Sequence, residues 1–124
     1  MMLFAALVKK WDDCILISAD SAGLKHLGDE LSKKNEFIIH SHNSLHNIYG
    51  IDLKIKIHSS RNSYIKNDGN IILNLTYSTS ASFMSCIRSV ESSDKPCHQY
   101  FDLDREIAGF DLSVIVSNGE YLIA

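Results

Sequence analysis

The chain has 124 residues, of which 45% are hydrophobic, and its mean hydropathy is -0.04. These values are typical of one globular domain with a single core. The formal net charge of -3 argues against nucleic acid and anionic membranes as partners, because both select basic surfaces, and it is compatible with a basic protein partner.

The cysteines and the first residues indicate where the protein works. Cys14, Cys86 and Cys97 cannot all pair within one chain, and none forms a CxxC motif, so a reduced intracellular setting is the simpler interpretation. The apolar N-terminal run MMLFAALV lacks a basic n-region and is followed at once by charged residues, which is not typical of a secretory signal. No segment is long enough to cross a membrane. We therefore predict a cytoplasmic protein.

The first half of the chain predicts two strands, a helix and two further strands. They are expected, in chain order, over residues 3–9, 14–19, 22–31, 37–42 and 51–58. The helix follows the potential cap Asp20-Ser21, and leucines 24, 27 and 31 recur at helical spacing. The last strand, after Gly50, alternates between apolar and polar residues, which indicates one buried and one wet face.

The second half predicts a similar series after a polar segment. Residues 59–70 are rich in turn formers, and Asn67-Asp68-Gly69-Asn70 is a turn signal. An apolar strand is expected over 71–77, a helix over 81–90 capped by one of the residues 78–80, an extended piece over 97–103 and a strand from Phe110 to Ser117.

The two halves also align without a gap at an offset of 59, which places Leu53 on Leu112 and GIDLKIKI on GFDLSVIV. This agreement predicts an internal repeat of residues 14–59 and 73–118 within a single domain, each half resembling a ββαββ unit. Strands followed by a helix and more strands favour an α+β fold. We expect a largely antiparallel sheet with two helices on one face.

The stretch IIHSHNSLH places three histidines close together. His40 and His42 project to one face of a strand, and His46 lies in the following loop, so a zinc site is geometrically possible. However, residues 37–49 include no acidic side chain that would support the ligands, and Asp52 is the nearest downstream. We predict no bound metal, and a polar strand end that is available for partner binding.

No catalytic motif stands out elsewhere. Cys97 and His98 are adjacent in a strand and point to opposite faces, so the histidine cannot readily activate the thiol. Gly50-x-Asp52-Leu53 and its twin in the second half are interpreted as a turn glycine that leads into a strand. GxSxG, HExxH, P-loop and dinucleotide-binding motifs are absent from the sequence. We predict no enzymatic activity, no catalytic residue and no cofactor.

The acidic run Asp102-Leu103-Asp104-Arg105-Glu106 is the strongest candidate for a binding feature. A solvated loop is the alternative, but Tyr100 and Phe101 stand beside the acids, and aromatic anchors flanked by charges are common at interfaces. The predicted partner-binding residues are Tyr100, Phe101, Asp102, Asp104, Glu106, His40, His42 and His46.

Several segments of the first half resemble small immunity proteins of bacterial polymorphic toxin systems. They are the strand Cys14 to Ala19, the helix SAGLKHLGDEL, the His40-x-His42 strand end and GIDLKIKI. The resemblance implies a compact, cytoplasmic, non-enzymatic α+β protein that binds and neutralises one cognate toxin. The alternatives are a histidine-dependent metal-binding enzyme and a structural or regulatory homo-oligomer that uses its sheet edge. The sequence does not define the oligomeric state or the activity of the toxin.

Overall fold

The structure, a computed structural model, describes residues 1–8, 14–41 and 48–120. Its elements are, in chain order, β1 (Leu3–Val8), β2 (Cys14–Ala19), α1 (Ser21–Lys34), β3 (Glu36–Ile39), β4 (Ile48–Gly50), β5 (Asp52–Lys56), β6 (Ser63–Asn67), β7 (Asn70–Asn74), α2 (Tyr77–Glu91), β8 (Cys97–Leu103), α3 (Arg105–Ala108) and β9 (Leu112–Asn118). The side chains of residues 48, 49 and 107 are not described.

The strands form two sheets. A five-stranded sheet has the order β4-β1-β2-β9-β8, and a four-stranded sheet has the order β3-β5-β7-β6. Both are mostly antiparallel, which confirms the predicted α+β class, but the strands divide between two sheets where we expected one. The strands divide in this way because β2 pairs in parallel with β9, and β7 pairs in parallel with β5. The hairpin β1–β2 therefore joins strands of the second half of the chain, and the hairpin β6–β7 joins strands of the first half.

The two sheets share one plan. In each sheet an antiparallel hairpin, β1–β2 or β6–β7, lies beside a parallel strand, β9 or β5, whose far side pairs with an antiparallel edge strand, β8 or β3. This strand order is the one expected if two copies of a unit had exchanged their hairpins, so that each hairpin pairs with the other copy. The internal repeat stays a prediction. Leu53 and Leu112 face the same core, but the gap-free alignment also pairs Leu16 with Leu75, and these two lie in different clusters.

A single apolar core is shared by both sheets and both long helices. Alternating residues of the central strands point into it, including Ile15 and Ile17 from β2 and Leu53 and Ile55 from β5. Phe83 of α2 is among its largest fully buried side chains. Each such side chain contributes roughly 1.5–3 kcal/mol through burial. A smaller cluster, formed by Cys14, Leu16 and Ile115, lies on the other face of the five-stranded sheet.

The helices begin where a side chain can cap them. The carboxylate of Asp20 accepts the N–H of Gly23 at 2.7 Å, as the sequence predicted for α1. Helix α2 starts at Tyr77 rather than Ala81, because the Thr76 hydroxyl accepts the N–H of Thr79 at 3.4 Å. Among the helices of the described residues, none combines the length and the apolar character that a membrane crossing requires.

Strand β6 lies inside the polar segment 59–70 that was expected to be turn and loop. It forms a hairpin with β7, and Gly69 has a φ of 76° in the turn between them. The Tyr64 ring lies 6.0 Å from the ring of Phe110, and Tyr64 packs against the main core. Pairing with β7 therefore defines this strand, and its own composition does not indicate it.

Candidate partner-binding surface

The negative charge of the chain is concentrated near its C-terminal end. Residues 97–124 carry five carboxylates and one arginine, and residues 1–96 carry ten carboxylates and eleven lysines and arginines. The formal charge is therefore -4 for the first group and +1 for the second, which gives the total of -3. Residues 1–96 are thus nearly neutral, and the negative charge belongs to the region that contains β8, α3 and β9.

Strand β8 separates the predicted binding residues by face. Tyr100 is 54% exposed and Asp102 is exposed beside it, whereas Leu103 is buried. Phe101 turns toward the core, where its ring lies 5.1 Å from that of Phe83. The aromatic residue on the solvent side is therefore Tyr100, and Phe101 secures β8 to α2.

The acidic side chains sit at the end of β8 and in the turn that follows. Asp104 and Glu106 are exposed, and the Asp102 carboxylate accepts a hydrogen bond from the Ser113 hydroxyl at 2.7 Å. We use the name acidic surface for Tyr100, Asp102, Asp104 and Glu106. Asp102 is tied to Ser113 of β9 and lies on the same face of β8 as Tyr100, and the exposed Asp104 and Glu106 follow it in the chain.

Two aspartates, one before β9 and one in β5, accept hydrogen bonds from backbone N–H groups. Asp111 accepts the backbone N–H of Arg105 at 3.1 Å and pairs with its guanidinium at 3.0 Å. Asp52 accepts the backbone N–H of Ser41 at 3.0 Å. These are the aspartates of the two Gly-x-Asp-Leu segments, whose repetition was the only sequence signal for this role. Each aspartate therefore accepts a backbone N–H from a residue that precedes it in the chain.

His98 lies on the same face of β8 as Tyr100. Its Nδ1 is 2.6 Å from a carboxylate oxygen of Glu120, and its ring meets that of Tyr100 edge-on with centroids 5.5 Å apart. Cys97 points away from it, with Sγ 4.0 Å from the carbonyl oxygen of Val90. The two residues therefore do not form a nucleophile–base pair.

The other two cysteines are poor nucleophiles. Burial raises the pKa of the Cys14 thiol, and the negative charge of Asp102 raises it further. Burial also raises the pKa of Cys86. Both groups therefore stay protonated at neutral pH, which reduces their reactivity.

His40 lies on a different part of the molecule. The His40 side chain is 80% exposed, and its Nδ1 is 3.8 Å from the Asp52 carboxylate. His42 and His46 lie outside the described residues. Ser41 bridges to β1, and β2 and β9 intervene before β8, so His40 is roughly 15–20 Å from the acidic surface at ordinary strand spacing. His40 and the acidic surface therefore lie apart in the described part of the chain.

Within the described ranges, no group of three or more histidines, cysteines, aspartates and glutamates is arranged to hold a metal ion. We expect the purified protein to contain no stoichiometric zinc, because the described part of the chain places only Asp52 near His40, which is fewer than the three protein ligands that a zinc site requires. Elemental analysis of protein prepared with added zinc measures this directly. One zinc per chain, lost in the His40→Ala variant, would contradict the prediction.

Comparison with models of protein families, with curated proteins and with solved structures finds no match to this chain.

Proposed function

We propose that this chain is a cytoplasmic immunity protein that binds a cognate antibacterial toxin and blocks its active site through the acidic surface. The concentration of a -4 charge in residues 97–124, next to an exposed tyrosine, is the observation that carries this proposal. The resemblance of the first half to immunity proteins supports it independently. The protein acts by occupying a site and requires no catalytic residue or cofactor.

The chemistry of the acidic surface defines the kind of toxin site that it fits. Enzymes that act on nucleic acids or nucleotides present cationic pockets to phosphate groups. The carboxylates of Asp102, Asp104 and Glu106 can take the place of those phosphates. Tyrosine is enriched among residues that dominate binding energy, and Tyr100 lies on the same face of β8 as Asp102. The charges would speed association and the ring would slow dissociation.

Binding kinetics against the protein products of the genes adjacent to this one test the proposal, the expected toxin being one of them. Reversing two charges in the variant Asp102→Lys/Asp104→Lys should lower the association rate by about tenfold or more at low salt, with a smaller effect at high salt. Tyr100→Ala should mainly raise the dissociation rate, because it removes contact area and leaves the charges.

A matched variant separates local charge from total charge. Glu36→Lys/Asp68→Lys changes the net charge by the same amount, and both residues are exposed, Glu36 on β3 and Asp68 in the turn between β6 and β7. We expect a much smaller loss of association rate from this variant. Equal losses in the two double variants would show that only net charge matters, and unchanged rates in Asp102→Lys/Asp104→Lys would remove the acidic surface from the interface.

A further inference from the structure

The open edges of the two sheets differ in length. The edge strands are β8 with seven residues, β6 with five, β3 with four and β4 with three. Among the described residues, no strand pairs with the outer side of β8. The longest open edge therefore lies within the region that carries the acidic surface. An open edge presents unpaired backbone N–H and C=O groups that can pair with another chain.

The direction of one peptide of β9 shows which backbone groups of β8 are open. Gly119 donates its N–H to the carbonyl oxygen of Ala19 at 2.8 Å, so the Asn118 carbonyl, on the opposite side of the same peptide plane, faces β8. Asn118 pairs with Cys97, and because alternate residues of a strand turn their N–H and C=O groups in the same direction, Gln99, Phe101 and Leu103 face β9 as well. The groups of His98, Tyr100 and Asp102 then face the open edge. These three residues alternate along β8, and together they can pair with a short extended segment.

A groove runs beside this edge. It has a volume of about 210 Å³ and is lined by Ser78, Thr79 and Ser82 of α2 and by Phe101, Asp102 and Leu103 of β8. A strand that pairs with β8 would place alternate side chains over this groove and over the solvent face that carries Tyr100. The edge therefore offers backbone pairing together with space for side chains.

We propose that the partner adds an extended, basic strand to the open edge of β8. The charge of -4 on residues 97–124 selects lysine or arginine on the added strand, and it disfavours a second copy of this chain, which would bring the same charge. Strand addition draws affinity from main-chain hydrogen bonds and specificity from alternate side chains. This inference rests on the proposed function and names how the toxin would be held.

Amide hydrogen exchange of the whole protein tests the pairing without the toxin. The probe is a capped peptide of seven residues that alternates lysine and valine, and its matched control has glutamate in place of lysine. In the free protein, Gln99, Phe101 and Leu103 should exchange slowly and His98, Tyr100 and Asp102 quickly. The lysine peptide should slow exchange at the latter three by about tenfold, the expected effect of strand pairing.

Two results would overturn the inference. In one, excess lysine peptide leaves exchange at His98, Tyr100 and Asp102 unchanged, which would mean that the acids merely keep this edge unpaired. In the other, these amides are already protected in the free protein in a concentration-dependent way, which would assign the edge to self-association. Neither result depends on whether the neighbouring toxin binds.

A pair of substitutions at one position extends the test to the toxin. Tyr100→Pro and Tyr100→Ala both remove the ring, but only the proline removes the outward N–H, and proline is tolerated where an edge N–H faces solvent. We expect Tyr100→Pro to weaken toxin binding about tenfold more than Tyr100→Ala. Equal losses in two variants with unchanged thermal unfolding would overturn strand addition and leave the proposed function standing. If the wild-type protein does not bind the toxin, the proposed function falls, and the peptide experiment alone decides the inference.

Discussion

Leu53→Ala and Leu112→Ala are each expected to lower the free energy of unfolding by about 2–5 kcal/mol, the usual effect of truncating a buried leucine. Leu53 is fully buried and Leu112 is 2% exposed, and both belong to the main core. Leu53 pairs with Ile71 on β7, and Leu112 pairs with Leu103 on β8, so each lies inside a sheet. Truncation would leave a cavity that the surrounding strands can fill only in part.

Denaturant unfolding of the two variants measures this loss, with Ile65→Ala as the matched control. Ile65 is a large aliphatic residue of β6, but it is 53% exposed, so its truncation should cost far less. A loss below about 0.5 kcal/mol at either leucine would contradict equivalent core positions for the two strands, because surface substitutions typically fall within that range.

Separating the chain between Ser60 and Arg61 is expected to abolish folding of each fragment and to permit folding when both are mixed. The parallel pairs β2–β9 and β5–β7 each join one strand from either side of the cut. Residues 1–60 alone would have no partner for the inner edge of the hairpin β1–β2, and residues 61–124 would have none for β6–β7. Each fragment would also lose part of the shared core.

Circular dichroism and size-exclusion chromatography of the separate and mixed fragments test this expectation. The mixture should recover a cooperative unfolding transition, with a midpoint that rises with fragment concentration. An intact chain of the same purity is the reference. A cooperative, monomeric transition in either fragment alone would contradict the requirement for pairing between the halves. Folding of the mixed fragments but of neither fragment alone would agree with the predicted repeat, because a half that has exchanged its hairpin needs the other half to complete its sheet.

Much of the secondary structure follows from the sequence by itself. The alternation after Gly50 predicts β5, because a strand with one buried face needs apolar residues at every second position, and Cys97 to Leu103 coincides with β8. Asp20 caps α1 because a carboxylate there satisfies an N–H of the first turn. The α+β class follows from the order of these elements. All of these inferences depend on neighbours a few residues apart.

The arrangement of the strands depends on residues far apart in the chain, and only the tertiary structure decides it. Ile17 pairs with Val116, and no local pattern specifies that partner, so one sheet was expected where two are present. Packing of β8 against α2 decides that Phe101 faces the core and Tyr100 faces solvent, since alternation separates the two faces of β8 without saying which one is inward. The order of the strands in the five-stranded sheet places His40 far from the acidic surface. A strand buries the face that the helices and the second sheet cover, and no pattern within the strand specifies that cover.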